Sequence, residues 1–303
     1  MWILYSFLGA FFQASEMAVK KKALQTKGLN NTIAFLAFIF AGILLGALLY
    51  VQSGKIWPEN SLSGNFWEGM IVVIVLNVLA VYFLYKALDI ADLSYLMPFM
   101  TLTSLFLVIP PIFVLGEIPS VIGFAGIAIT VTGAFLMDYK KKTGIIAFEE
   151  YDKKIKNRKG LFYFLITALC FTITPTAIKV AIAESSALFA SFLSHILIGI
   201  SFIILIFIFK ETKRIKEIFA FGGTGKFFFA VALAGIFIAI ANGSVNEALK
   251  MTDVSYVFAI KRTMPFFAFI IGYFYFKERQ DVFKKILATI LMVLGAIIIT
   301  VFK

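Results

Sequence analysis

Long uninterrupted apolar stretches are the feature of this sequence that most limits its fold. They occur near 2–19, 33–51, 67–88, 93–114, 119–137, 161–182, 187–209, 227–249, 254–276 and 283–302. About 20 residues of helix cross a hydrocarbon layer of roughly 30 Å. Lipid provides no partner for free backbone groups, and the alternating polarity of β-barrel strands is not visible. The sequence therefore predicts an all-α integral membrane protein with ten transmembrane helices.

Composition agrees with this class and excludes several others. The chain is 61% hydrophobic and only 15% charged, outside the range of ordinary soluble domains. Its net charge of +11 suggests nucleic acid in a soluble protein, but here the charges lie in loops, so we expect no nucleic-acid partner. The single cysteine, Cys170, excludes an intrachain disulfide and a cysteine metal cluster. We expect no metal, cofactor or catalytic site.

An internal repeat divides the chain into two halves. The stretch "YKALDIADLSYLMP" at 85–98 resembles "NEALKMTDVSYVFA" at 246–259, and the same alignment continues to Glu117 and Glu278. We therefore predict five-helix repeats at 1–137 and 161–303, joined by a charged linker at 138–160. Because five is odd, the second half enters the membrane upside down, which gives inverted repeats.

The basic residues of the loops predict the orientation. Of the 28 Lys and Arg residues, 22 lie on the side that the chain reaches after the first span, and 4 lie on the opposite side. By the positive-inside rule, the 22-charge side and the linker are cytoplasmic and both termini face outside.

The repeated pattern resembles a known family. "KALDIADLSYLMPF...LGE...GFAGIAITVTGAFLM" and its echo "EALKMTDVSYVFAIKR...FKE...ILATILMVLGAIII" are similar to the EamA-type group of the drug/metabolite transporter superfamily. The resemblance implies a secondary transporter or exporter of small metabolites with two inverted five-helix halves around a central cavity. Several residues match the family's pattern: Lys20, Glu117, Gly133, Lys179, Glu278 and Gly295. The family usually places its termini in the cytoplasm, opposite to the charge rule, so the orientation stays open.

Two adjacent cations, Lys261 and Arg262, lie inside the span at 254–276. A charge at the bilayer centre costs on the order of 3 kcal/mol, so such residues are functional candidates. The scaffold does not require the pair, because the first half has Met100 and Thr101 at the equivalent positions. We expect at least one cation to face the central cavity, compensated by Glu247 or water, and to bind an anionic or zwitterionic substrate. Snorkelling and helix packing are the alternatives.

Other polar residues are candidates for lining the cavity. Asn242 and Asn246 share a helix face at a depth close to that of the cations, where amides either bind substrate or join helices. The only histidine, His195, suits a helix-packing hydrogen bond or a protonation switch equally well. The remaining candidates lie in the third span, Asn77 and Tyr85, and in the sixth span, Thr172 and Thr174, the last beside Pro175.

Some charged residues are assigned to structural roles. Four charged residues lie near predicted span ends, where long side chains reach water: Glu16, Lys20, Lys86 and Lys179. Glu117 and Glu278 each precede a span, so we expect them to stabilise the amino end of the helix that follows.

Secondary transport of a small polar or charged metabolite by alternating access fits these features best. The substrate would be amino-acid-like, an organic anion or drug-like. A lipid translocator of the undecaprenyl type and a non-transporting membrane scaffold are the alternatives, and an intramembrane enzyme is disfavoured because the chain lacks a convincing nucleophile with its base. The expected partners are the substrate, membrane lipid and a proton as coupling ion, in a monomer or homodimer of the cell membrane.

Overall fold

The computed structural model describes residues 1–23, 29–58, 62–90, 106–138, 150–212, 224–274 and 282–302. Within these ranges the chain is helical and contains no strand. In chain order the helices are α1 (Trp2–Ala23), α2 (Asn30–Ser53), α3 (Gly64–Ile90), α4 (Ile109–Leu115), α5 (Val121–Asp138), α6 (Glu150–Ala183), α7 (Ala187–Ile208), α8 (Thr224–Met251), α9 (Val254–Lys261), α10 (Met264–Phe274) and α11 (Val282–Phe302).

Six stretches of the described residues are long and apolar enough to cross a membrane. They are Asn31–Ser53, Gly64–Leu84, Arg158–Ala183, Ala187–Ile208, Phe227–Met251 and Val254–Ile271. Val121–Leu136 and Ile286–Val301 are shorter apolar helices. The predicted all-helical, multi-pass membrane protein is thus confirmed. The predicted span at 93–114 lies mostly outside the described residues, and α4 covers its last part.

Four helix pairs make the most extensive contacts in the described part of the chain. They are α3 with α6, α5 with α11, α2 with α7, and α1 with α8. Each pair takes one helix from residues 1–138 and the other from residues 150–302. The two parts of the chain therefore interleave, and the largest cluster of buried apolar residues contains residues of both.

Glycine allows α5 and α11 to cross with their backbones in contact. A Cβ atom on Gly133 would lie 2.7 Å from the carbonyl oxygen of Ala288, and one on Gly126 would lie 3.0 Å from the carbonyl oxygen of Gly295. Small residues permit such close approach between membrane helices, where packing rather than a hydrophobic driving force holds the pair together. The repeated glycines Gly133 and Gly295 therefore lie in a helix crossing.

A carboxylate from the second part of the chain holds the amino end of α2. Glu211, only 4% exposed, accepts hydrogen bonds from the backbone amides of Asn31 at 3.1 Å and Thr32 at 2.8 Å. Its oxygens also accept from Nδ2 of Asn31 at 2.8 Å and Oγ1 of Thr32 at 2.7 Å. A negative charge at a helix amino end is favourable because the free N–H groups and the helix dipole point toward it.

Helix α6 begins earlier than the predicted span at 161–182. It starts at Glu150, so part of the predicted linker is helical. Lys and Glu are good helix formers, so a charged segment of this composition favours continuation of the helix outside its apolar part. Apolar length defines the part of a helix that lies in lipid and does not define where the helix starts.

Lys86 lies just beyond the apolar part of α3, as expected for a residue near a span end. Its Nζ atom sits 4.7 Å from the ring centre of Tyr82 and 5.7 Å from that of Tyr163. A hydrogen bond to Tyr82 raises the pKa of Lys86 above its usual 10.5, so this lysine stays charged.

Candidate functional site

The predicted span at 254–276 is broken where the two cations lie. Helix α9 ends at Lys261, Arg262 forms its carboxyl cap, and α10 starts at Met264. Thr263, 2% exposed, donates from Oγ1 to the carbonyl oxygen of Ile260 at 2.8 Å. Pro265 has no N–H and cannot donate to the carbonyl of Lys261 four residues earlier, which explains the break. Val254–Ile271 is nevertheless one apolar span, so the predicted span is present, with an interruption at Arg262 and Thr263 that was not predicted.

The environment of Lys261 compensates part of its charge. Its Nζ atom lies 5.0 Å from the ring centre of Phe258, and it occupies the last turn of α9, where the helix dipole favours a cation. Arg262 and Glu16 both act electrostatically on it. Glu16 is 8% exposed and belongs to α1, which packs against α9 and α10. Glu16 thus contributes negative charge to the surroundings of Lys261, a role for which the sequence suggested Glu247 or water.

His195 joins α7 to α8. Its Nδ1 atom lies 2.6 Å from the carbonyl oxygen of Ser191, so the ring proton is assigned to Nδ1. Its Nε2 atom then accepts from Nδ2 of Asn242 at 3.0 Å. The ring also lies against Phe38 of α2, with ring centres 5.5 Å apart. A neutral imidazole satisfies both nitrogens in this arrangement.

Asn246 forms a second link between the same two helices, one turn along. Its Nδ2 atom donates to Oγ of Ser191 at 2.7 Å, and that hydroxyl donates to the carbonyl oxygen of Ala187 at 2.6 Å. Asn242 and Asn246 therefore share the face of α8 that lies against α7. This geometry corresponds to interhelical hydrogen bonding, one of the two roles that the sequence left open for these amides.

The remaining predicted residues are dispersed. Asn77 donates from Nδ2 to the carbonyl oxygen of Val73, and the hydroxyls of Thr172 and Thr174 donate to carbonyls four residues earlier in α6. Glu247 is half-buried in α8. The side chain of Tyr85 lies outside the described residues.

Glu117 and Lys179 form an ion pair that joins the two parts of the chain. Their side chains are 12% and 18% exposed. Oε2 of Glu117 also accepts from the backbone amide of Val254 at 2.8 Å, and Nζ of Lys179 donates to the carbonyl oxygen of Thr252 at 2.6 Å. Glu117 therefore stabilises the amino end of α9. The expectation that it serves the following helix, α5, is wrong, because Ser120 provides that cap through its Oγ atom.

Two residues with polar contacts at these positions were not predicted from the sequence. Ser191 stands four residues before His195, a spacing that places both on one face of α7 and would have identified it. The side chain of Glu16 was predicted to reach water because it lies near a predicted span end. Helix α1 instead extends to Ala23, and Glu16 is buried.

A cleft of about 490 Å³ lies at the ends of α2 and α6, away from these residues. It is lined by Leu49, Ser53, Lys55, Ile56, Trp57, Pro58, Leu62, Glu184, Ser185, Ser186 and Phe189. None of the predicted site residues contributes to it.

Comparison with known proteins identifies the family. A solved structure described only as the crystal structure of a protein superposes with a TM-score of 0.78 at 15% identity, covering 100% of this chain and 99% of the other. This likeness shows a shared fold. A search of curated proteins gave no match. The profile of the EamA-like transporter family matches residues 1–138 and again residues 158–301. The chain therefore belongs to the EamA-like transporter family, within the drug/metabolite transporter superfamily.

Proposed function

We propose that this protein is a secondary transporter that moves a small polar or charged metabolite across the cell membrane by alternating access. The substrate class that the charges favour is an anion or zwitterion, such as an organic anion or an amino-acid-like compound. Its family consists of membrane transporters and not enzymes, which supports transport over catalysis.

The helix contacts support an architecture of ten spans in two inverted five-helix repeats. In the repeat, spans 1 and 3 correspond to spans 6 and 8, so exchanging the halves converts the α3–α6 pair into the α8–α1 pair. The same exchange maps the α2–α7 pair onto itself. The exchange also maps the pair of α5 and α11, the fifth and tenth spans, onto itself. A pseudo-two-fold axis in the membrane plane has this consequence.

One observation carries the proposal: an interrupted membrane helix holds two cations, and a buried carboxylate from the other half acts electrostatically on one of them. Glu16 comes from α1, whereas Lys261 and Arg262 stand between α9 and α10. Lys261 and Arg262 carry two positive charges, and an anionic group on the substrate would interact favourably with them. Broken helices and ionisable residues inside membrane spans are common at transporter binding sites.

Uptake into proteoliposomes tests this function. A panel of radiolabelled amino acids, organic anions and cationic drugs is offered with and without an imposed proton gradient, since a proton is the coupling ion that we propose. We expect an anionic or zwitterionic compound to enter at least tenfold faster than in protein-free liposomes. Absence of uptake across the panel together with rapid movement of fluorescent lipid between leaflets would instead support a lipid translocator.

A further inference from the structure

The ion pair between Glu117 and Lys179 lies where three connections meet on one side of the membrane. Glu117 belongs to the connection between α4 and α5, Lys179 lies one turn before the end of α6, and Thr252 and Val254 flank the turn between α8 and α9. Ser120, in the same connection as Glu117, donates from its backbone amide to the Tyr256 hydroxyl at 3.0 Å. The connection at 116–120 is thus tied to α6 and α9, which belong to the other part of the chain.

Two buried hydroxyls next to this ion pair have no hydrogen-bond partner among the described residues. They are Oγ1 of Thr176 and Oγ of Ser255. Thr176 lies three residues before Lys179, on the same side of α6, and Ser255 follows Val254 in α9. The neighbouring Thr172 and Thr174 do bond to their own helix. Buried polar groups without partners are rare, and each requires an explanation.

Water supplies such an explanation if it reaches these hydroxyls in another conformation. The ion pair joins the two parts of the chain, so it must break before α6 and α9 separate from the connection at 116–120. The pair is also well protected from water, with exposures of 12% and 18%, which strengthens it while it is closed. Polar groups directly beneath a breakable contact between halves are the arrangement that a gate requires.

We propose that Glu117 and Lys179 form the ion pair of a gate on this side of the membrane. While the pair is closed it seals the space between α6, α9 and the connection at 116–120. When it breaks, water and then substrate pass the hydroxyls of Thr176 and Ser255. This inference rests on the proposed alternating-access function and assigns the two residues a role in access rather than in substrate binding.

Thiol labelling tests the gate without any substrate. In a Cys170→Ala background, single cysteines replace Thr176 or Ser255, and the rate of modification by a membrane-impermeant methanethiosulfonate is measured in proteoliposomes. Glu117→Gln keeps an oxygen for the Val254 amide but removes the ion pair, and Lys179→Gln removes it from the other side. We expect each substitution to accelerate labelling at least tenfold. Unchanged rates in both variants would overturn the gate.

Matched variants separate gating from general loosening of the fold. Lys179→Arg keeps the charge, and the exchange Glu117→Lys with Lys179→Glu restores an ion pair, so both should label at rates within threefold of the native pair. A cysteine at Thr167, buried elsewhere in α6, should stay unreactive in every background. Acceleration at that position equal to the acceleration at Ser255 would show a loosened fold and overturn the proposal.

The labelling result does not depend on the substrate. If no compound of the transport panel is taken up while the Gln variants still label faster, the proposed function fails and the gate stands. If transport is found but labelling does not respond to the ion pair, the gate fails and the function stands.

Discussion

Nε2 of His195 and Nδ2 of Asn242 face each other at 3.0 Å across the contact between α7 and α8. Because the Nδ1 proton is directed to Ser191, the ring accepts from the amide as a neutral group. In this arrangement the histidine links α7 to α8, which is one of the two roles that the sequence left open for it.

The histidine link gives a prediction for stability and pH dependence. His195→Ala should lower the free energy of unfolding by about 2 kcal/mol, since it removes a buried ring and leaves an amide without its acceptor. A double-mutant cycle with Asn242→Ala should show coupling of about 0.6 kcal/mol. Thermal unfolding in detergent measures both. In His195→Gln the pH profile of transport should match that of the native protein, and a displaced profile at native stability would identify a protonation switch instead.

Glu211 provides a second test, at the amino end of α2. Glu211→Gln keeps the shape of the side chain but turns one acceptor into a donor that faces the N–H groups of Asn31 and Thr32. We expect a loss of about 2 kcal/mol in unfolding free energy, because a hydrogen bond to a charged group contributes about 1.5–3 kcal/mol. The exposed Glu184→Gln is the matched control and should be neutral. Equal unfolding temperatures for the two variants would contradict a stabilising role of Glu211 at the amino end of α2.

The crossing of α5 and α11 predicts which glycines tolerate a methyl group. Gly133→Ala would place its Cβ atom 2.7 Å from the carbonyl oxygen of Ala288, so the helices must separate. We expect a loss of about 1–3 kcal/mol, as for overpacked cores. Gly64, at the start of α3, has no heavy atom within 4 Å of such a Cβ, so Gly64→Ala should unfold at the native temperature or above. Similar losses in both variants would exclude the crossing as the cause.

Sequence patterns along single helices predicted much of the fold. Apolar length located the six candidate membrane spans of the described residues, and the repeat located the short turn between α8 and α9. The break after Lys261 was missed although Pro265 is visible in the sequence, because membrane helices often accommodate proline without ending.

Hydrogen-bond partners on different helices could not be predicted from the sequence. Glu211 and Asn31 are 180 positions apart, and no periodicity relates them. Glu117 likewise serves α9 rather than the helix it precedes, since the packing of the two parts of the chain brings the amino end of α9 closer. Spacing identifies neighbours on one helix, whereas contacts between helices depend on packing.

The loop charges predict the orientation in the membrane. With 22 basic residues on one side and 4 on the other, the segment at 138–160 should be cytoplasmic and both termini outside. In a Cys170→Ala background, a cysteine at Lys153 should resist an impermeant maleimide in intact cells and react after permeabilisation. A cysteine at exposed Lys55, on the opposite side, should react in intact cells. The reverse pattern would place the termini in the cytoplasm.

The cations at the break between α9 and α10 give the prediction closest to transport. Consecutive positions point about 100° apart around a helix, so Lys261 and Arg262 do not face the same direction. We therefore expect one of them to contact the anionic group of the substrate. Replacing that residue with Gln should raise KM for an identified substrate by about ten- to a hundredfold, the equivalent of about 1.5–3 kcal/mol for a charge-assisted hydrogen bond.

Controls distinguish this binding role from a structural one. Lys250→Gln changes an exposed lysine at the end of α8 and should leave KM unchanged. Glu16→Gln removes the carboxylate that compensates Lys261 and should lower KM for a monoanion, because the site then carries one more net positive charge. Insertion and unfolding temperature are measured for every variant. Native transport in both Lys261→Gln and Arg262→Gln, with normal folding, would remove the charge pair from substrate binding.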